Sequence, residues 1–434
     1  MTLPSARFLA FICSVVYAIG LAYSYVNVVQ PFYVYMGLQV NSKANLYEFL
    51  VIVSFASLLI TLAPDKLDRP SSVLSFFVFF IVYMPAISVS YFSLAVHGDT
   101  YIKLFISLTL GVLVIFFVPR LKLKMVYVKG FSARQFWAIF GFLIVFLSVF
   151  VFSFYRLNIN HLIQLQQLDA LYDIREEYRA TSSGIPGLIQ YFFTWLIKIV
   201  APFVVIIGLQ IRKWYLVVSG VLFTILLFSI SGHKSIFLSL FLIFGAWFFM
   251  RSNGGATFLR LSLFFFGLTT LGLALDYFGS SLINDVLVRR MLIIPGVLSG
   301  YYFEYYGVNE FAMLGYSVLG GLFDYSPGLT PPFIIGNEYF GRAEMSANVN
   351  FMASAYADFG VVGVILFSAV AAVLYRFLDM VALQKKISKT AALLVLMPSW
   401  ALVDSTLLTV LATHGFVLLI LIVVLLPRKD FVDR

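Results

Sequence analysis

The sequence predicts an all-α polytopic membrane protein with about 12 transmembrane helices, and three observations lead there. Of 434 residues, 62% are hydrophobic and only 11% charged, with a mean hydropathy of +0.98, values outside the range of soluble domains. Apolar runs able to cross about 30 Å of hydrocarbon recur along almost the whole chain. Lys and Arg collect in alternate connections between those runs, the pattern of positive-inside sidedness.

In chain order the runs fall at 6–29, 46–63, 71–95, 101–118, 135–155, 188–209, 215–230, 236–250, 261–277 and 361–378. The remaining run, 391–426, is too long for one helix and is interrupted by Pro398, Asp404 and His414-Gly415, so it reads as two short spans. The run nearest the N-terminus has Arg7 ahead of most of it and no small-residue cleavage site, which marks a retained first span. With both termini in the cytoplasm, the inner side receives Arg7, Lys66, Arg69, Arg120, Lys122, Lys124, Lys129, Arg134, Arg212, Lys213, Arg251, Arg260, Arg376, Lys385, Lys386, Lys389, Arg428, Lys429 and Arg434. The net charge of +9 is therefore topology and not a nucleic-acid footprint. The chain reads as one integral membrane domain over 1–434 with two larger outer loops, 156–187 and 279–360. The second is too rich in Tyr, Phe and Ile to be disordered and too long to be a bare connection, so the chemistry is expected there.

Several chemistries are disfavoured. Cys13 is the one cysteine, and His97, His161, His233 and His414 have no metal-ligand spacing. There is no Asp-x-Asp, which argues against a glycosyltransferase that holds a divalent metal on phosphate. There is no Gly-x-Ser-x-Gly elbow, and no intramembrane pairing of His with an acid that acyl transfer would need. His233-Lys234 in SGHKS lacks the spacing of a phosphate loop and reads as an interfacial turn.

The outer side holds the informative exceptions to sidedness: Arg156, Arg175, Arg179, Lys234, Arg289, Arg290 and Arg342, with Lys43 and Lys103 near outer ends and Lys198 inside a span. Arginine suits bidentate recognition of phosphate oxygens, so several meeting at one place would hold a lipid-linked diphosphate. On a regular α-helix Arg289, Gly296 and Gly300 share a face, which gives a cation beside positions where a ligand or another helix can approach closely. The plain alternative makes Arg289 and Arg290 lipid anchors and the glycines packing sites. Tyr301–Tyr306 has the aromatic character of a headgroup-level element, and aromatic faces also suit sugar rings. Arg175 and Arg179, with Glu176 and Glu177 between them, make either a self-paired helix face or a second set of cations. Arg342, Glu344, Asn348 and Asn350 form a polar group before the 361–378 run. Asp276, Glu304 and Asp404 are candidate proton acceptors.

The span layout, the two outer loops, RRMLIIPGVLSGYYFEYYG, EMSANVNFMASAYADFGVVGVILF and LLTVLATHGFVLLILIVVLL resemble bacterial O-antigen polymerases (Wzy), the oligosaccharide repeat-unit polymerases. The resemblance covers the chain in layout and rests on short motifs. It implies a metal-independent, cofactor-free membrane glycosyltransferase of GT-C type in the bacterial inner membrane. Such an enzyme transfers a glycan from undecaprenyl diphosphate to a sugar hydroxyl of the next lipid-linked unit on the periplasmic face. Implied partners are undecaprenyl-diphosphate-linked oligosaccharide, membrane lipids and a chain-length regulator, with no nucleic acid.

Some family members carry Arg-x10-Gly in their periplasmic loops. Arg289 to Gly300 fits that pattern, whereas Arg175 and Arg179 lack a Gly at the matching distance. On this reading Arg289 and Arg290, with Arg175 or Arg179 and with Arg342 as helper, hold the diphosphate beside Gly300. Tyr301, Tyr305 and Asn348 contact sugars, and Glu304, Glu344 or no residue acts as base. A lipid-linked oligosaccharide flippase and an O-antigen ligase are the alternatives. The ligase ranks lower because 279–360 contains no His.

Overall fold

A computed structural model describes residues 3–94, 98–122, 128–158, 161, 170–251, 256–281, 283–317, 319–320 and 328–428. Lys124, Leu162, Leu165, Leu168, Lys429 and Arg434 lie outside them, as do the side chains of Leu171, Asp173 and Arg175. Regular structure among the described residues is helical throughout. In order come α1 (Pro4–Met36), α2 (Leu46–Leu62), α3 (Pro70–Ser93), α4 (Asp99–Arg120), α5 (Ala133–Phe154) and α6 (Ala170–Ser183). There follow α7 (Gly187–Gln210), α8 (Trp214–Ser231), α9 (Lys234–Arg251), α10 (Thr257–Tyr277), α11 (Asn284–Tyr306) and α12 (Pro331–Phe340). The chain ends with α13 (Phe351–Gln384), α14 (Ser388–Leu394), α15 (Leu396–Ala401), α16 (Leu407–Leu411) and α17 (Phe416–Leu425). Ten of these are long and apolar enough to cross a membrane, and α2 and α17 are shorter apolar helices, so the protein is an all-α polytopic membrane protein.

Long apolar helices recur in many chains; prolines give these their particular shape. Four π-helical turns, Tyr25–Val29, Val78–Tyr83, Leu196–Val200 and Asn284–Ile293, end two residues before Pro31, Pro85, Pro202 and Pro295. Proline has no N–H and its ring collides with the carbonyl one turn back. Widening that turn moves the carbonyl aside, and the N–H before each proline bonds five residues back, as Ile294 does to Arg289. Regular α geometry is therefore lost between Arg289 and Gly296, so the face that simple helical spacing gives them does not hold.

One end of the bundle gathers basic residues that sidedness assigned together. Arg7 pairs with Asp65 at 2.9 Å. Asp379, buried, accepts from the Ser71 backbone and hydroxyl and lies 4.0 Å from Arg69 and 3.8 Å from Arg376. Arg376 donates to the Leu121 carbonyl, and buried Lys385 donates to the carbonyls of Val424 and Leu426.

Away from that end the chain does two things that span-counting missed. First, 279–360, read as an outer loop, contains α11, which is long and apolar enough to cross; its Asn284 accepts from Ser24 of α1, and the Tyr301 hydroxyl shares the Gln39 carbonyl with Tyr25. This helix packs along α3. Second, 391–426, expected as two short spans, is two half-helices. α14 and α15 leave the Lys385 end and α17 returns to it, and the 10 residues of α17 cover about 15 Å, half the hydrocarbon depth. The turn between them, 402–415, is thus held part way down. Phe351 N–H donates to the Leu402 carbonyl and brings the start of α13 to the same depth. That helix folds back on itself at Phe359–Gly360, where Gly360 (φ 60°, ψ −145°) occupies backbone space almost confined to glycine.

Candidate functional site

Irregular backbone inside a membrane persists only where protein buries it or where it lines a wet cavity. The 402–415 turn is polar in that way. Lys198 Nζ lies 3.1 Å from His414 Nδ1, His414 Nε2 lies 2.9 Å from Ser405 Oγ, and Ser405 Oγ lies 3.4 Å from Asp404 Oδ1. Lys198 comes from the π turn of α7, whose altered pitch carries it to the break. Trp195, on the same helix, donates its indole N–H to the Ala412 carbonyl at 3.0 Å, and left-handed Gly415 packs against its ring. Asp404 reaches the molecular surface at this turn. Arg290, exposed on α11, is close enough to act electrostatically on Asp404, as is Lys198.

The neighbouring Arg289 is placed differently. Its Nε bonds Asp285 Oδ1 at 3.2 Å and its guanidinium stacks 4.2 Å over the Tyr33 ring, while Tyr33 donates to the same carboxylate oxygen at 3.0 Å. Arg289 is thus engaged by α1 and its own helix, and Arg290 is the cation of the pair that faces the break. The Gly300 face is filled: a Cβ there would stand 2.9 Å from Ser90 Oγ, and one at Gly296 2.7 Å from the Pro85 carbonyl oxygen. These glycines are packing positions against α3, not the opening for a ligand that their spacing suggested.

Tyr301 is buried, its ring stacked on Tyr339 at 4.1 Å and 9°. Glu304 accepts from the Tyr339 hydroxyl, and burial first, then that carboxylate, raise Tyr339 well above the usual phenol value, so it stays a donor. Tyr305 is half-buried beside Tyr306. Arg342, Glu344 and Asn348 are exposed in the segment leading to α13, with Asn348 accepting from Ser346. Arg179 is exposed on α6. The structure therefore joins Tyr301 with Glu304 through Tyr339, and brings Arg290 within electrostatic range of Asp404. It places Arg179, Arg342, Glu344 and Asn348 on other elements.

Sequence reasoning missed the link between His414 and an acid, because ten positions separate them and Ser405 is the bridge. A helix cap was the plain reading of the polar group that contains Asn350, and this buried residue does cap α13; its donation to Ser299 at 2.8 Å was not legible. The available signal was a Lys four residues before a proline in one apolar run and a His-Gly break in another. Two grooves of about 350 and 330 Å3 with almost wholly apolar linings lie elsewhere, one along α4 and one between α5, α7 and α8. Among the described residues no three His, Cys, Asp or Glu come together as a metal cradle. Compared with known protein families, curated proteins and solved structures, the chain matches none.

Proposed function

We propose that this protein joins undecaprenyl-diphosphate-linked repeat units of a surface polysaccharide, transferring the growing glycan to a sugar hydroxyl of the next unit at the outer leaflet of a bacterial inner membrane. The observation that carries the reading is the pair of cations, Arg290 and Lys198, that act on Asp404 part way down the bundle. In the transfer the acceptor oxygen bonds to the anomeric carbon, and the bond from that carbon to the diphosphate breaks with its electron pair on phosphate. Fixed cations are matched to the charge that appears there, and removing one such group typically costs about 100-fold to 1000-fold in rate. Arg290 and Lys198 take that role here, while Arg289 holds α11 against α1. Both termini lie in the cytoplasm on this reading.

The test is polymerisation by purified protein in liposomes with a defined lipid-linked unit and chelator present. A product ladder is expected, and Arg290→Ala should shorten it more than Arg289→Ala does. Wild-type protein that forms no product from that donor overturns the reading.

A transporter of the same lipid-linked unit is the second reading, favoured by half-helices broken part way down with Lys198 and Asp404 at the break. A deletion strain separates the two. Lipopolysaccharide bearing a single repeat unit supports the polymerase, and none at all supports the transporter.

A further inference from the structure

Resting on the polymerase reading, we infer that Asp404 accepts the proton of the attacking sugar hydroxyl, and that Lys198, His414 and Ser405 form a directed hydrogen-bond chain that positions it. Direction follows from the first link. A lysine ammonium has three donors and no acceptor, so at 3.1 Å His414 Nδ1 must accept. The neutral ring then carries its hydrogen on Nε2 and donates it to Ser405 Oγ at 2.9 Å. Ser405, having accepted, is free to turn its own hydrogen to Asp404 Oδ1 at 3.4 Å. Each group gives one hydrogen onward, and the chain ends on the Asp404 carboxylate, which reaches the molecular surface.

The charged groups acting on Asp404 are Lys198 from α7 and Arg290 from α11. With Oδ1 engaged by Ser405, Oδ2 takes the proton. As the oxygen–carbon bond to the acceptor forms and the bond to diphosphate breaks, the acceptor O–H proton passes to Asp404, and then to water on the open side. Asp404 is the catalytic residue of this step, His414 and Ser405 are positioning residues, and Lys198 orders them in addition to its part at the diphosphate.

The experiment is the rate of polymerisation against pH for the full-length protein in liposomes. Asp404→Asn should slow it by about 100-fold to 10,000-fold, the usual contribution of a positioned base. His414→Ala and Lys198→Met should move the acid limb to higher pH, because Asp404 loses its ordered donor or its neighbouring cation. His414→Gln, whose amide accepts and donates in the same sense, should restore the limb. A purely structural role lowers the rate without moving the limb. Asp404→Asn as fast as wild type, or an acid limb unmoved in both His414→Ala and Lys198→Met, overturns the inference while leaving polymerisation standing. Should Asp404→Asn not fold, Ser405→Ala removes one oxygen, and an unshifted limb there is equally adverse. Wild-type protein with no product at any pH overturns the function and this inference together.

Discussion

Ser90 donates its hydroxyl hydrogen to the backbone carbonyl of Gly296 at 2.9 Å, a contact that requires α3 and α11 to touch backbone to backbone. Pro85 makes the approach possible from the other side, since its carbonyl lies where a Gly296 side chain would start. Small residues at such crossings are how membrane helices associate without a hydrophobic driving force.

Gly296→Val should accordingly part the helices. Its Cβ would meet backbone, which cannot swing away, and overpacking of this kind costs about 1–3 kcal/mol. Gly300→Ala should cost less, because the atoms it meets belong to the Ser90 and Leu94 side chains. Melting of the detergent-purified variants ranks them. Equal stability of Gly296→Val and wild type would show that the crossing is looser than its distances say.

The same reasoning separates what was legible in the sequence from what was not. Span positions follow from apolar runs, and the basic end follows from Arg7, Arg69, Arg120, Arg376 and Lys385, because hydropathy and sidedness act residue by residue. The depth of 402–415 does not follow from either rule. Pro398 and His414-Gly415 announce a break, but only the tie between Lys385 and the end of α17 shows that both arms return to one side. At α11 Pro295 announces a kink but not its form, a π segment over Asn284–Ile293 in which 100° per residue no longer relates Arg289 to Gly296. Arg290 was legible as a candidate and its nearness to Asp404 was not, because Asp404 is more than a hundred residues away and comes within electrostatic range only in the folded bundle.

Removing the cause of a π turn tests what it does. Pro202→Ala restores the missing N–H and permits an unbroken α-helix in α7. Lys198 would then leave His414, because it stands within the widened turn. The variant should melt no lower than wild type yet polymerise about 100-fold more slowly, the scale of a misplacement near 1 Å. Unchanged rate alongside unchanged stability would mean that the helix keeps its π turn without the proline.

At the basic end, Asp379→Ala should be among the most damaging single changes. The buried carboxylate accepts twice from Ser71 and faces Arg69 and Arg376, whose side chains are 41% and 20% exposed. Loss of one partner from a buried ion pair costs about 3–5 kcal/mol, and the more buried Arg376 bears most of it. A marked fall in yield and melting temperature is expected, with partial recovery in the Arg376→Met, Asp379→Ala double variant. A double variant no better than the single one would show that the Ser71 bonds, and not the charges, are what matters.

Lys385 gives the last prediction. Its ammonium donates to the carbonyls of Val423, at 3.4 Å, of Val424, and of Leu426, at 2.6 Å, and so satisfies the end of α17, which has no helical turn beyond it. Lys385→Met keeps the length and apolar stem but leaves those carbonyls without a donor, a loss of about 1–3 kcal/mol for a buried acceptor. Lys385→Arg should not rescue it, since Gly130 already approaches the ammonium so closely that its Cβ would stand 2.7 Å from Nζ. Because α17 carries the turn that holds His414, both variants should weaken polymerisation as well as lower the melting temperature. If Lys385→Arg were to melt with wild type, the pocket would have room that the Gly130 contact denies.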